Sequence, residues 1–153
     1  MKYPLILASS SPFRQSLLQK FNLPFDTFSP NVDESALNNE TPAQLVKRLS
    51  ELKARAASKH FSKGLVIGSD QVAVFNEQIL GKPHNKHNAV KQLSLFSGHS
   101  VTFLTGLCVY DLTSGESKTC IEPFNVTFKT LTDAQISAYC DAEQPYNLSL
   151  IHI

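Results

Sequence analysis

Asp70 stands in the middle of Leu65-Val66-Ile67-Gly68-Ser69-Asp70-Gln71-Val72-Ala73-Val74-Phe75, two apolar runs broken by one small, acidic and amide-bearing step. A carboxylate so placed must be paired, hydrogen-bonded or metal-bound, because an isolated charge away from water is expelled or neutralised. Two roles are open to it: a group that does chemistry, or a structural Asp capping a turn between two shorter strands. Other stretches carry groups suited to a polyanion. Ser9-Ser10-Ser11-Pro12 opens a helix, with Ser11 at the N-cap, Pro12 at the first helical position and Arg14 in the first turn. Backbone N–H groups, hydroxyls and a favourable dipole converge there and can hold phosphate without the glycines of a P-loop. Arg14 adds a fork-shaped donor.

Glu34, beside Asp33, is either a solvated loop acid or a divalent-cation ligand that needs a second carboxylate from elsewhere in the fold. Lys53 follows Leu52 directly and sits four residues after Leu49, at the edge of an apolar helix stripe, from which it could reach inward to a phosphate. Lys82, in Gly81-Lys82-Pro83, lies just beyond a strand end, where a turn lysine is ordinarily exposed and inert. His84 and His87 are about one helical turn apart at a helix start, more often a surface pair than a metal site.

These residues must be positioned by alternating strands and helices. A short strand over residues 4 to 8 leads into the serine turn and a helix with apolar positions Phe13, Leu17, Leu18 and Phe21. Residues 22 to 40, with Pro24, Pro30, Asn31, Asn38 and Asn39, read as an extended segment and a loop. Thr41-Pro42-Ala43-Gln44 has the capping-box pattern and predicts a helix to about His60, with Leu45, Leu49, Leu52 and Ala56 on one stripe and its basic residues mostly solvated. The central strand follows, then a helix from about Lys86 to Phe96 with Ala89, Val90, Leu93 and Phe96 inward and Gly98 as its stop. Ser100 to Tyr110 and Lys118 to Lys129 read as the two strands of a hairpin, and Thr132-Asp133-Ala134-Gln135 opens a last helix. The pattern is that of an α/β domain with a mixed sheet.

At 153 residues, 42% hydrophobic and 18% charged, the chain suits one globular domain. A net charge of +1 gives no global field of the kind that marks a nucleic-acid coat or membrane-surface protein, so any anion binding must be local. No apolar run approaches the roughly 20 residues needed to cross a bilayer. Met1-Lys2-Tyr3 leads into an apolar run far too short for a signal peptide, and three cysteines without metal-ligand spacing suit reduced thiols, so a cytoplasmic location is expected.

Taken together, Leu7-Ala8-Ser9-Ser10-Ser11-Pro12-Phe13-Arg14, Val32-Asp33-Glu34, Lys53-Ala54, Gly68-Ser69-Asp70-Gln71-Val72 and Gly81-Lys82-Pro83 resemble, in order and spacing, the Maf family of nucleotide pyrophosphatases. The resemblance implies a fold related to the inosine triphosphate pyrophosphatases, a twisted, mixed sheet flanked by helices, and a homodimer when full length. It also implies hydrolysis of a nucleoside triphosphate to the monophosphate and diphosphate with Mg²⁺ or Mn²⁺. Asp70 would be the general base or hold the metal, Glu34 would be its metal partner, and Ser9, Ser11, Arg14, Lys53 and Lys82 would cradle the triphosphate.

Phe13 and Gln71 are similar to the branch that acts on 7-methyl-GTP, rather than the dTTP/UTP branch with its Arg-Arg and Asp-Thr. An aromatic face attracts the delocalised positive charge of N7-methylated guanine, and a glutamine offers both a donor and an acceptor to a base edge. Phe13 as a helix-start hydrophobe facing the core is the plainer alternative. A nucleotide-binding regulator tied to septum formation is the other functional reading that the family allows. The resemblance implies a domain over residues 1–146, which the family would continue with roughly a quarter more chain, and leaves 147–153 as a non-native tail.

Overall fold

The apolar run from Leu65 to Phe75 forms one uninterrupted strand, β3, with Val66, Gly68, Ser69 and Asp70 all buried within it. The computed structural model describes residues 4–81 and 83–143, so Lys82 and the tail expected over 147–153 lie outside the described residues. In chain order the remaining elements are β1 (Leu5–Ala8), α1 (Pro12–Gln19), β2 (Asp26–Phe28), α2 (Pro42–Arg55), β4 (Gln78–Leu80), α3 (Lys86–Phe96), β5 (Ser100–Asp111), β6 (Ser117–Thr127) and α4 (Asp133–Glu143).

Among the described residues the strands form one sheet in the order β2-β1-β3-β5-β6, with β4 paired to β3. β1 runs parallel to both β2 and β3, whereas β4 runs antiparallel to β3, so the sheet is mixed. β5 and β6 run in opposite directions across their turn, and side-chain bonds from Ser100 to Thr127 and from Thr102 to Asn125 tie them together.

β4 is a strand that the sequence reading missed. Asn76 and Glu77 both take positive φ, at 50° and 65°, which is the geometry of a tight two-residue hairpin, but neither is the glycine that usually announces it. Gly98, at φ 71°, supplies the expected stop after α3.

Two compact units can be distinguished. One combines the segment ending at Asp70 with Thr105–Glu122, and its core joins Ile6, Ala8, Ala54, Ala57, Val66 and Cys108. The other combines Gln71–Leu104 with the segment from Pro123 onward, and packs α3 and α4 around Ala73, Phe96, Val101, Phe103 and Ile136.

α2 carries Lys53. The capping box at its start is complete: Gln44 N–H donates to Thr41 Oγ1, and the Gln44 side chain accepts from Thr41 N–H. Its buried face differs from the expected stripe, for it carries Leu45, Val46, Leu49, Ser50, Lys53 and Ala54. Leu52 is exposed, Ala56 begins a 3₁₀ turn over Ala56–Lys59, and the α-helix ends at Arg55 rather than near His60. Lys53 therefore projects from the middle of the inner face, not from its edge.

That face lies directly on the sheet at two glycines. A β-carbon added to Gly68 would run into the Ser50 carbonyl and lie 2.6 Å from the Ala54 nitrogen; one added to Gly106 would lie 2.5 Å from Val46 Cγ1. The overlap at Gly68 is with backbone and cannot be relieved by a rotamer change.

α1 behaves unlike an ordinary sheet-packing helix. None of its residues is buried, and Phe13, Leu17 and, just beyond its end, Phe21 are all exposed, so the expected inner apolar face is not observed.

The segment between β2 and α2 has no strand or helix. Arg48 of α2 pins it, donating from Nε to Glu40 Oε2 at 2.7 Å, from Nη2 to Glu40 Oε1 at 3.0 Å, and from Nη2 to the Ser35 carbonyl at 2.9 Å. The Arg48 bonds, followed by a bond from Leu37 N–H, hold the Glu40 carboxyl below the usual carboxylate range.

Two measurements follow. Gly68→Ala should lower the free energy of unfolding in urea by about 1–3 kcal/mol, as expected for overpacking against backbone; an unchanged midpoint would mean that the helix is not in contact there. Glu40 has a depressed folded-state pKa, so its contribution is complete above the unfolded-state value of about 4.3 and is lost as the pH falls through the lower folded-state value. Glu40→Gln should therefore lower the thermal midpoint at neutral pH by more than it does near pH 3, and a gap independent of pH would count against the ion pair.

Candidate active site

Lys53 Nζ lies 3.0 Å from Asp70 Oδ1 and 2.6 Å from Glu34 Oε1. The Asp70 and Lys53 side chains are each only 10% exposed, whereas that of Glu34 is 57% exposed. The ammonium thus joins a carboxylate from the central strand to one from the loop after β2. This pairing resolves the anomaly of a charge in an apolar strand, since each buried charge has a partner within hydrogen-bonding distance.

The strand is fixed immediately before Asp70 as well. Ser69 Oγ donates to the Gly106 carbonyl at 2.7 Å, a buried bond that ties β3 to β5 beside the acid.

Arg14 adds a second cation to this group. Half-buried, it loses enough water for desolvation to lower its pKa from the ordinary value, while the charges of Asp70 and Glu34 act in the opposite direction. A guanidinium remains protonated under such an opposed pair of effects, so Arg14 is a standing donor beside the two carboxylates.

Ser9 and Ser11 lie at the approach to α1. Ser9, which is buried, accepts from Ser11 N–H at 3.0 Å, and Ser11 accepts from Arg14 N–H at 3.4 Å as the N-cap. The expected N-cap is therefore observed, with a difference from the simple anion-cup picture. Two of the backbone N–H groups at this turn are already bound by the hydroxyl oxygens, and the hydroxyl protons are what the serines offer a phosphate.

Among the predicted site residues, Ser9, Ser11, Arg14, Glu34, Lys53 and Asp70 all fall in one compact unit. Phe13 is 40% exposed at the first turn of α1. Gln71 is half-buried and follows Asp70 directly on β3. His84 and His87 are both exposed.

Several contributors escaped the sequence reading. Ser50, fully buried one turn before Lys53, lies against Gly106, and its Oγ has no hydrogen-bond partner among the described residues. Arg48 looked like one more solvated base on a basic helix. A capping-box helix with polar residues at 50 and 53 in phase with Leu45, Val46 and Leu49 was the signal that could have found the true inner face.

The donor set suits a hard divalent cation. No group of three or more His, Cys, Asp or Glu side chains able to hold a metal occurs among the described residues. Glu34 and Asp70, both paired with Lys53, would be the carboxylates that share such an ion with water and substrate phosphates, as Mg²⁺ sites with one or two protein carboxylates do. No helix among the described residues is long and apolar enough to cross a membrane.

Comparison with known proteins gives the family and the fold. A family model described as Maf-like protein matches residues 4–149. A protein of Pseudoalteromonas translucida (strain TAC 125) named 7-methyl-GTP pyrophosphatase is 99% identical over 147 residues, covering 96% of this chain and 73% of the relative. A protein of the same name from Vibrio vulnificus (strain CMCP6) is 54% identical over 144 residues, covering 94% of this chain and 74% of the relative. Among solved structures, the HAM1 protein from Coxiella burnetii superposes with a TM-score of 0.57 at 13% identity, covering 80% of this chain and 71% of that one, which establishes a shared fold. With a family model matching residues 4–149 and a relative 99% identical over 96% of this chain, the chain belongs to the Maf family.

Proposed function

We propose that the chain hydrolyses 7-methyl-GTP to 7-methyl-GMP and diphosphate. The observation that carries this reading is the buried Asp70 carboxylate held by Lys53, with Glu34 and Arg14 in the same group. The name shared by its relatives, 7-methyl-GTP pyrophosphatase, supplies the substrate.

Cleavage between the α and β phosphates requires a water aligned on the α phosphorus and positive charge around the departing diphosphate. Asp70 either takes the proton of that water or helps to hold the cation that acidifies it, and its burial beside Lys53 keeps it fixed for either task. Lys53 and Arg14 stabilise charge on the phosphate oxygens, most strongly as it builds on the leaving group. Ser9 and Ser11 donate hydroxyl protons at the positive end of α1, and Lys82 is assigned to the same triphosphate.

Glu34 and Asp70 would together hold Mg²⁺ or Mn²⁺. When bound, such an ion supplies further neutralisation of phosphate charge and a more acidic water.

Base selection is assigned to Phe13 and Gln71. The exposed Phe13 ring presents a π face to the cationic 7-methylguanine, a contact worth about 0.5–2 kcal/mol over a neutral base. Gln71 supplies an amide donor and acceptor for the base edge. The proposed setting is the cytoplasm, with a homodimer as the full-length form.

Asp70→Asn should reduce diphosphate release from 7-methyl-GTP in Mg²⁺ by at least about 100-fold while circular dichroism stays that of the parent chain; full turnover in this variant would overturn the assignment. Phe13→Ala should lower kcat/KM for 7-methyl-GTP about tenfold more than for GTP. An equal loss on both nucleotides would remove Phe13 from base selection.

A further inference from the structure

Glu34 sits on a stretch of chain with neither strand nor helix, and its side chain is more than half exposed. Burial does not hold it in place, yet its carboxylate meets Lys53 at 2.6 Å. What restrains the backbone on either side is polar. Asp33 Oδ1 accepts from Ser35 N–H at 2.9 Å, which turns the chain around Glu34. Leu37 N–H donates to Glu40 Oε1 at 3.0 Å, which closes the far end. Arg48 spans both parts, gripping the Glu40 carboxylate with Nε and Nη2 and the Ser35 carbonyl, next to Glu34, with Nη2.

Arg48 and Lys53 belong to the same helix. One rigid element therefore holds the tip of Glu34 through Lys53 and its backbone neighbour through Arg48. Only a planar fork can make these contacts at once, since a lysine ammonium is a single point of charge on a flexible stem. A ligand on an unrestrained loop must be ordered when a cation arrives, and that ordering weakens binding.

We propose that Arg48, clamped to Glu40 and to the Ser35 carbonyl, positions Glu34 and thereby sets the affinity of the Glu34 and Asp70 carboxylates for a divalent cation. The inference rests on the assignment of those two acids as cation ligands made above. Arg48 is a positioning residue, because it acts through Glu34 and touches no reacting group.

The test measures Mn²⁺ binding by the whole chain, by calorimetry or electron paramagnetic resonance, together with amide hydrogen exchange over residues 33–40. Arg48→Met should weaken Mn²⁺ binding about tenfold, the lower end of what loss of a supporting partner costs a metal site, and should speed exchange in that loop. Arg48→Lys should recover only part of the affinity. In a Glu34→Gln background, Arg48→Met should cause no further loss. Glu40→Gln breaks the clamp from its other side and provides the same readout if Arg48→Met does not fold.

Mn²⁺ affinity within about twofold of the parent chain in both clamp variants would overturn the proposal, as would an equal loss with and without Glu34, or a parent chain that binds no Mn²⁺. If Mn²⁺ binding behaves as expected while 7-methyl-GTP yields no diphosphate, the assigned reaction falls and the clamp stands.

Discussion

Lys53 and Asp70 face each other with both side chains nearly withdrawn from water, and each makes the other's position tolerable. Either charge alone in that place would cost several kcal/mol, whereas the pair recovers much of this through a short charge-assisted hydrogen bond. Such a pair constrains its surroundings. The helix that carries Lys53 must approach the sheet closely enough for an ammonium to reach a strand, and at Gly68 and Gly106 no β-carbon stands in the way. The strand that carries Asp70 must not slip, and the Ser69 bond to the Gly106 carbonyl pins it one residue away. Two features that look like packing details are in this sense part of the electrostatics.

Much of this was legible in the sequence because it depends on local rules. The central strand matched its reading at both ends, since a long Val- and Ile-rich run bounded by Gly64 and Asn76 leaves little choice. The caps at Ser11 and Thr41 were equally plain, because serine and threonine ahead of proline at the first helical position satisfy a specific set of backbone donors. Family resemblance drew the acids and bases of the site together before any coordinates did.

What escaped the reading depended on relations between distant segments. The inner face of α2 was assigned by following Leu49 to Leu52 and Ala56, yet the helix turns Ser50 and Lys53 inward instead, because the sheet beneath offers glycines to one and a carboxylate to the other. Hydrophobic periodicity alone favours a leucine at 52 over a lysine at 53 whose partner lies elsewhere in the fold, although the phase with Leu45, Val46 and Leu49 points to Lys53. Arg48 was hidden for the same reason: its partners, Ser35 and Glu40, lie in a loop whose conformation no pattern specifies. The hairpin at Asn76 and Glu77 lacked the customary glycine, so its short return strand passed unnoticed.

The serine turn before α1 has a further consequence. Ser9 and Ser11 have each committed one of two oxygen lone pairs to a neighbouring amide, which reduces their outward capacity to accept. A hydroxyl is ordinarily ambivalent and will greet a metal ion or an ammonium as readily as an oxyanion. With one lone pair engaged from behind and the dipole of α1 adding positive potential, the balance at the mouth of this helix tips toward an oxyanion.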